Sequence, residues 1–233
     1  MTEYATAAAN QLLTRYGIVA REAAIADRIP GGYATVYPVL RAMEEAGHVR
    51  RGMFVAGLGA AQFAQPTAVD QLRTLRTPSS EESVYLAASD PANPYGTLLP
   101  WPRAESDDAQ HGLARAAGAG VVLVRGALAA FVRRRNPALR IILPEQEPER
   151  SETARLLGAK LAQIAVRWQS ARSGLLIGEI NGTPAREDFF ASYLKDSGFV
   201  DTALGFQMRR GTPVPISTAE RDEDEEDESA ETA

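Results

Sequence analysis

The sequence predicts an α+β chain: an N-terminal winged helix-turn-helix followed by a small mixed, largely antiparallel, barrel-like α/β module. Three observations predict it. Residues 1–76 run in the order helix, short helix, glycine turn, helix, β-hairpin. Residues 77–83 form a linker around Thr77-Pro78-Ser79-Ser80-Glu81-Glu82. Residues 84–211 alternate short apolar runs with turn pairs around one long amphipathic helix. Residues 212–233 make an acidic tail that is expected to be disordered.

The elements follow in order. Thr2–Tyr16 is an alanine-rich helix with Leu12 and Leu13 facing inward, and Gly17 stands where a C-cap glycine belongs. Arg21–Arg28 is a short second helix, stopped by Ile29-Pro30-Gly31-Gly32. The third helix places Val36, Val39, Leu40 and Met43 at i, i+3, i+4, i+7 and ends at Gly47. Its Pro38 is tolerated if Thr35 is the N-cap, because the first turn needs no intrahelical N–H bond. Val49–Phe54 and Ala61–Ala64 form a hairpin around Val55-Ala56-Gly57-Leu58-Gly59-Ala60, and Thr67–Arg76 is one more helix.

The second module opens with a strand at Val84–Ser89. Prolines in Leu98-Leu99-Pro100-Trp101-Pro102 bar a central strand, and Arg103–Ala117 is a polar loop. Val121–Arg125 and Leu128–Arg133 pair about Gly126-Ala127, and Leu139–Leu143 is a third apolar run. Ser151 caps a helix reaching Ser170, with Leu157, Leu161, Ile164 and Trp168 on one stripe. Leu175–Ile180 is a strand ending in the turn pair Asn181-Gly182. Arg186–Ser197 is a helix closed by Gly198, and Gly205–Arg209 is a last short strand.

Composition removes several function classes. The 233 residues hold no cysteine, which excludes disulfides, thiolate metal sites and a cysteine nucleophile. His48 and His111 are the only histidines, so no multi-His metal site is expected. No Walker A pattern occurs, and Gly57-Leu58-Gly59 lacks the βαβ context of a dinucleotide fingerprint. With no signal peptide and no membrane-length apolar run, a cytoplasmic chain without a membrane partner is expected. From Ala219 onward nine acids face Arg221, so the net −5 divides into a −8 tail and a +3 body. Of 25 basic residues only Lys160 and Lys195 are lysine; the other 23 are arginine. Such a skew suits phosphate or carboxylate recognition and equally reflects a GC-rich genome.

In a winged helix the helix after the glycine turn enters the major groove. Here its outward face is expected to carry Tyr37, Arg41 and Glu44, with Tyr33 just ahead. Arg50 and Arg51 open the wing and suit phosphates, which position a protein without reading sequence. Winged helices also serve packing and oligomerisation, and Glu44 and Glu45 beside Arg41 make this face mixed. The loop Asp90-Pro91-Ala92-Asn93-Pro94-Tyr95-Gly96 fits a rigid Asx/Pro turn. It also fits a pocket for a flipped base, stacked on Tyr95 or Trp101 with Asp90 activating water.

Several long runs resemble the C-terminal region of the large helicase-related (Lhr) family. They are Leu13-Thr14-Arg15-Tyr16-Gly17-Ile18-Val19-Ala20-Arg21-Glu22, Ile29-Pro30-Gly31-Gly32, Val36-Tyr37-Pro38-Val39-Leu40, Arg51-Gly52-Met53-Phe54-Val55-Ala56-Gly57-Leu58-Gly59-Ala60-Ala61-Gln62-Phe63-Ala64 and Gly198-Phe199. Asp90–Gly96, Leu99-Pro100-Trp101-Pro102 and Gly205-Phe206-Gln207-Met208-Arg209 add to them, so the likeness covers about residues 5–210. The resemblance implies tandem winged helices and a β-barrel-like module behind an ATP-dependent DNA helicase motor, with DNA repair as the setting. It also implies oligomerisation and, in some members, uracil-DNA glycosylase activity similar to winged-helix glycosylases of the AlkZ type. ATP and Mg belong to the motor, which this chain lacks, so a separate motor is an expected partner and no cofactor is expected here. The family's glycosylase carboxylate lies near its C-terminus and has no matching position here, leaving Asp90 as a weak candidate. The resemblance ranks a DNA-binding or oligomerisation module first, a glycosylase second and a stand-alone winged-helix transcription regulator third.

Overall fold

A computed structural model of the chain describes residues 3–59, 61–74, 82–102, 112–170 and 174–208. It forms two compact units, Met1–Ser79 with Pro91–Ala104, and Ser80–Asp90 with Glu105–Ala233. The expected acidic tail, the end of the last expected strand at Arg209, and His111 lie outside the described residues. Among the described residues no helix is long and apolar enough to cross a membrane.

The first unit is a winged helix. Its elements are α1 (Glu3–Tyr16), β1 (Ile18–Val19), α2 (Arg21–Ala26), α3 (Tyr33–Glu45), β2 (Arg50–Gly52), β3 (Gln62–Ala64) and α4 (Pro66–Thr74). The strands form one antiparallel sheet in the order β1-β3-β2. Ala5, Ala8 and Ala9 of α1 are buried, so small side chains let the helices approach closely. Leu12, Leu13, Val36, Leu40 and Phe63 fill the centre and are at most 1% exposed. Each such aliphatic or aromatic side chain contributes about 1.5–3 kcal/mol by leaving water. Asp27 fastens α1 to the end of α2, accepting from Tyr16 Oη at 2.7 Å and pairing with Arg15 at 3.1 Å. Leu98 packs against this same core, which accounts for residues beyond Pro91 clustering with the first unit.

Thr35 is not the N-cap of α3. The cap falls three residues earlier, at Gly32, so the helix starts at Tyr33 and Pro38 lies inside it rather than in its first turn. Gly31 and Gly32 explain the early start, with φ of +77° and +63°. A Cβ at Gly31 would stand 2.3 Å from Thr35 Oγ1, which instead donates to Pro30 O at 2.8 Å. Pro38 thus forgoes one backbone hydrogen bond to Ala34 O at an exposed position, a local loss that the buried face of the helix outweighs.

The second unit packs a long helix on an open sheet. It comprises β4 (Ser83–Ala87), β5 (Ala119–Val124), β6 (Ala127–Arg133), β7 (Ala138–Ile141), α5 (Glu149–Ser170), β8 (Leu176–Ile177), β9 (Glu179–Ile180), β10 (Thr183–Pro184), α6 (Ala191–Asp196), β11 (Phe199–Thr202) and β12 (Gly205–Met208). The main sheet runs β10-β9-β7-β6-β5-β4, antiparallel except for the parallel pair β7 and β9. A separate sheet runs β11-β12-β8. Leu157, Leu161, Ile164 and Trp168 of α5 are buried in one core with Val122, Val132 and Ile180, as the helical spacing predicts.

The sheets do not close into the expected barrel. The predicted single strand Leu175–Ile180 breaks at Gly178, sending β8 to pair with β12 and β9 to pair with β7. The chain bends there because Gly178 sits against Leu204 O and Pro137 Cβ, each 3.2 Å from where its own Cβ would be. The two ends of the main sheet, β4 and β10, therefore stay unjoined. Two helix boundaries also shift. Ser151 falls inside the first turn of α5, its amide bonded to Glu147 Oε2 at 3.2 Å. The helix expected from Arg186 begins only at Ala191. Before it, Arg186 is held by Asp201 at 2.6 Å, and Asp188 Oδ1 accepts from the Phe190 amide at 2.8 Å, an arrangement of turns.

Candidate nucleic-acid interface

The wing is built around one buried amide. Gln62 on β3 is fully buried, its Oε1 accepting from the amides of Phe54 at 2.9 Å and Val55 at 2.8 Å. Its Nε2 donates back to Val55 O at 3.0 Å. Both ends of the carboxamide are thus used, and the loop is fixed without a metal or disulfide. No role is expected of Gln62 from the sequence alone. Its polar character in the otherwise apolar strand Ala61–Ala64 was the available signal.

The wing strand β2 presents Arg50 and Arg51 to solvent. Arg51 pairs with Glu44 at 3.1 Å, and Arg41 pairs with Glu45 at 3.1 Å across one helical turn. Arg50 has no ion pair with a described residue. Exposed pairs of this kind contribute about 0–1 kcal/mol each and exchange readily for a phosphate partner.

The two tyrosines of α3 do not lie on an outward face. Tyr33 Oη donates to Ala61 O at 2.6 Å, and its ring meets Tyr37 at 5.7 Å between centroids. Tyr37 in turn meets Phe63 edge-on at 5.9 Å, so both rings lean on the core. Burial, reinforced by Tyr37 and Glu22, pushes the Tyr33 hydroxyl up to about 12. What α3 exposes is Ala34, Pro38, Arg41, Ala42 and Glu45, a surface poor in base-reading groups.

Tyr95 and Trp101 come together in the first unit as a stacked pair, 6.2 Å between centroids with planes at 22°. Asn93 is buried, and its Oδ1 accepts from the Tyr95 amide at 3.1 Å, the Asx turn expected of this loop. A Cβ at Gly96, whose φ is +78°, would lie 2.6 Å from Trp101 Nε1, so the indole is seated against bare backbone. Asp90 falls in the second unit. Its amide bonds Ala87 O at 2.9 Å, and its carbonyl accepts from Arg115 at 2.9 Å. Among the described residues no cluster of three or more His, Asp or Glu side chains is placed to hold a metal ion.

Helices α1 to α3, a three-stranded sheet and an arginine-bearing wing define the first unit as a winged-helix domain. Residues 1–84 match the winged-helix domain of the large helicase-related protein. Over 208 residues, 88% of its length, the chain is 35% identical to the Lhr helicase/uracil glycosylase of Escherichia coli. Over 136 residues, 56% of its length, it is 45% identical to the Lhr helicase/probable uracil glycosylase of Mycolicibacterium smegmatis. The chain therefore belongs to the large helicase-related family and corresponds to its C-terminal region. It spans 13% and 9% of the length of those two relatives.

Proposed function

We propose that the chain is a DNA-binding module of Lhr-type helicases that grips phosphates through the wing of its winged helix. The observation that carries this is the placement of Arg50 and Arg51 side by side and exposed on a wing that Gln62 holds rigid. The first unit also holds nine arginines against six acids, a formal +3, so the field around the wing favours a polyanion. With the tyrosines of α3 turned inward, contact is to the backbone and is largely indifferent to sequence. Binding of the full chain to labelled duplexes of unrelated sequence tests this. Similar, steeply salt-dependent affinities are expected; tight binding to one palindromic operator would favour a transcription regulator instead.

The word helicase in both relatives' names supports a further part of the proposal, that the module works beside a helicase motor, with ATP and Mg as that motor's cofactors and DNA repair as its setting. Light scattering of the purified chain examines oligomerisation, the other role its family suggests. A second activity, uracil-DNA glycosylase, is favoured by the relative that matches 88% of the chain. Alkaline cleavage of uracil-containing single strands after incubation with excess protein decides it. Abasic sites that persist in Asp90→Asn would remove Asp90 from the chemistry, and no abasic sites at all would reject the enzyme.

A further inference from the structure

The second unit carries a basic feature that the wing does not explain. Arg133 ends β6, and Arg134 and Arg135 form the turn into β7. The turn is rigid: Asn136 Oδ1 accepts from the Ala138 amide at 2.9 Å, and Arg134 N donates to Gly118 O at 2.8 Å. Arg135 is held at φ +61°. Arg133 and Arg135 line a pocket of about 210 Å³ with Asn136, Pro137 and the Gly174–Leu176 segment, and no carboxylate lines it. That volume is below the ~300–1,000 Å³ typical of pockets for drug-sized ligands and suits a group such as a single phosphate.

The neighbouring side chains add charge rather than cancel it. Arg134 lies over the Trp168 ring at 5.3 Å, and Trp168 meets Tyr85 edge-on at 6.2 Å. Arg167 is exposed on α5 and directly precedes Trp168 in the chain. Neither Arg134, Arg135 nor Arg167 forms an ion pair with a described residue. Arg133 is spent partly on Gly112 O. The carboxylate on the adjoining strand is Glu179, exposed, whose amide bonds Pro137 O at 3.2 Å. A rigid turn with several unneutralised guanidiniums carries repulsion that an anion relieves, and a planar fork suits phosphate.

We propose that the β6–β7 turn is a second nucleic-acid contact, in which Arg135 and Arg133 take a backbone phosphate in the pocket and Arg167 engages a neighbouring one. It shares its partner class with the wing but uses other residues on another unit, so each contact can fail alone. The test uses the full chain with a labelled oligothymidylate of about 16 nucleotides and a duplex of equal length, across a salt series. Arg135→Asn suits the left-handed backbone while removing the charge, and Arg167→Gln changes an exposed position. The double variant is expected to weaken single-strand binding about tenfold and to flatten the salt slope by about 0.7 for each arginine lost. Arg135→Lys, which keeps the charge, should retain the slope. Loss confined to the single strand, or shared with the duplex at about 0.9 per arginine, would say which form the turn grips; either supports the contact. Unchanged affinity and slope in both arms, or no nucleic-acid binding by the parent chain, overturns it. Loss in Arg50→Gln/Arg51→Gln but not in Arg135→Asn/Arg167→Gln leaves the wing standing and removes the turn; the reverse removes the wing.

Discussion

In the winged unit nine arginines and six acids leave +3, while in the second unit, before the tail, fifteen basic and fifteen acidic side chains cancel. The pairing of particular arginines differs as well. On the winged unit, Arg41 and Arg51 are answered by Glu45 and Glu44. On the second unit, Arg134 and Arg135 stand together in one turn without an ion pair to a described residue. Net charge sets the long-range attraction of a unit for a polyanion, whereas unneutralised guanidiniums set where the strand is gripped. Composition therefore points to a nucleic-acid-binding unit more readily than it locates the contact.

Removing the support of the wing should have the largest effect. Phe63→Ala empties a fully buried position beneath Tyr37 and should cost about 3–5 kcal/mol of stability in chemical denaturation. Duplex binding should fall with it. Gln62→Leu leaves the amides of Phe54 and Val55 without their acceptor, at about 1–3 kcal/mol, and loosens the wing while the helices remain by circular dichroism.

Smaller effects are expected from single polar groups. Tyr33→Phe forfeits the hydrogen bond to Ala61 O, about 1 kcal/mol. Because burial raises the Tyr33 hydroxyl from 10 to about 12, its contribution is complete below pH 10 and is lost as pH rises through about 12. Denaturation in that window should therefore be less pH-dependent in Tyr33→Phe than in the parent. Glu44→Gln/Glu45→Gln frees Arg51 and Arg41 and should tighten duplex binding about threefold at low salt, an effect that fades as salt is raised.

Much of the architecture was legible in the sequence. The spacing of Val36, Val39 and Leu40, the stripe on α5 and the Asn181-Gly182 turn each register a local rule, and each is found in place. Two misplaced boundaries came from tertiary contacts. Gly178 reads as the interior of one apolar run, yet a crowded neighbour, Pro137, splits that run between two sheets. Arg186 reads as helical, yet its partner Asp201 lies fifteen residues on. At the candidate interface Arg50 and Arg51 stand exposed. Tyr33 and Tyr37 do not, because a helix period alone does not say that Ala61 O and Phe63 wait on the other side. The β6–β7 turn was read only as the end of a hairpin, since its pocket depends on Gly174–Leu176, nearly forty residues away.

The most direct test of the account is the salt dependence of duplex binding by the full chain and by Arg50→Gln/Arg51→Gln. If the wing grips phosphates, the double variant binds on the order of tenfold more weakly at low salt. Its plot of log affinity against log salt is then shallower by about 0.9 for each arginine removed. An unaltered slope and affinity in a variant that folds as the parent does would contradict the central claim.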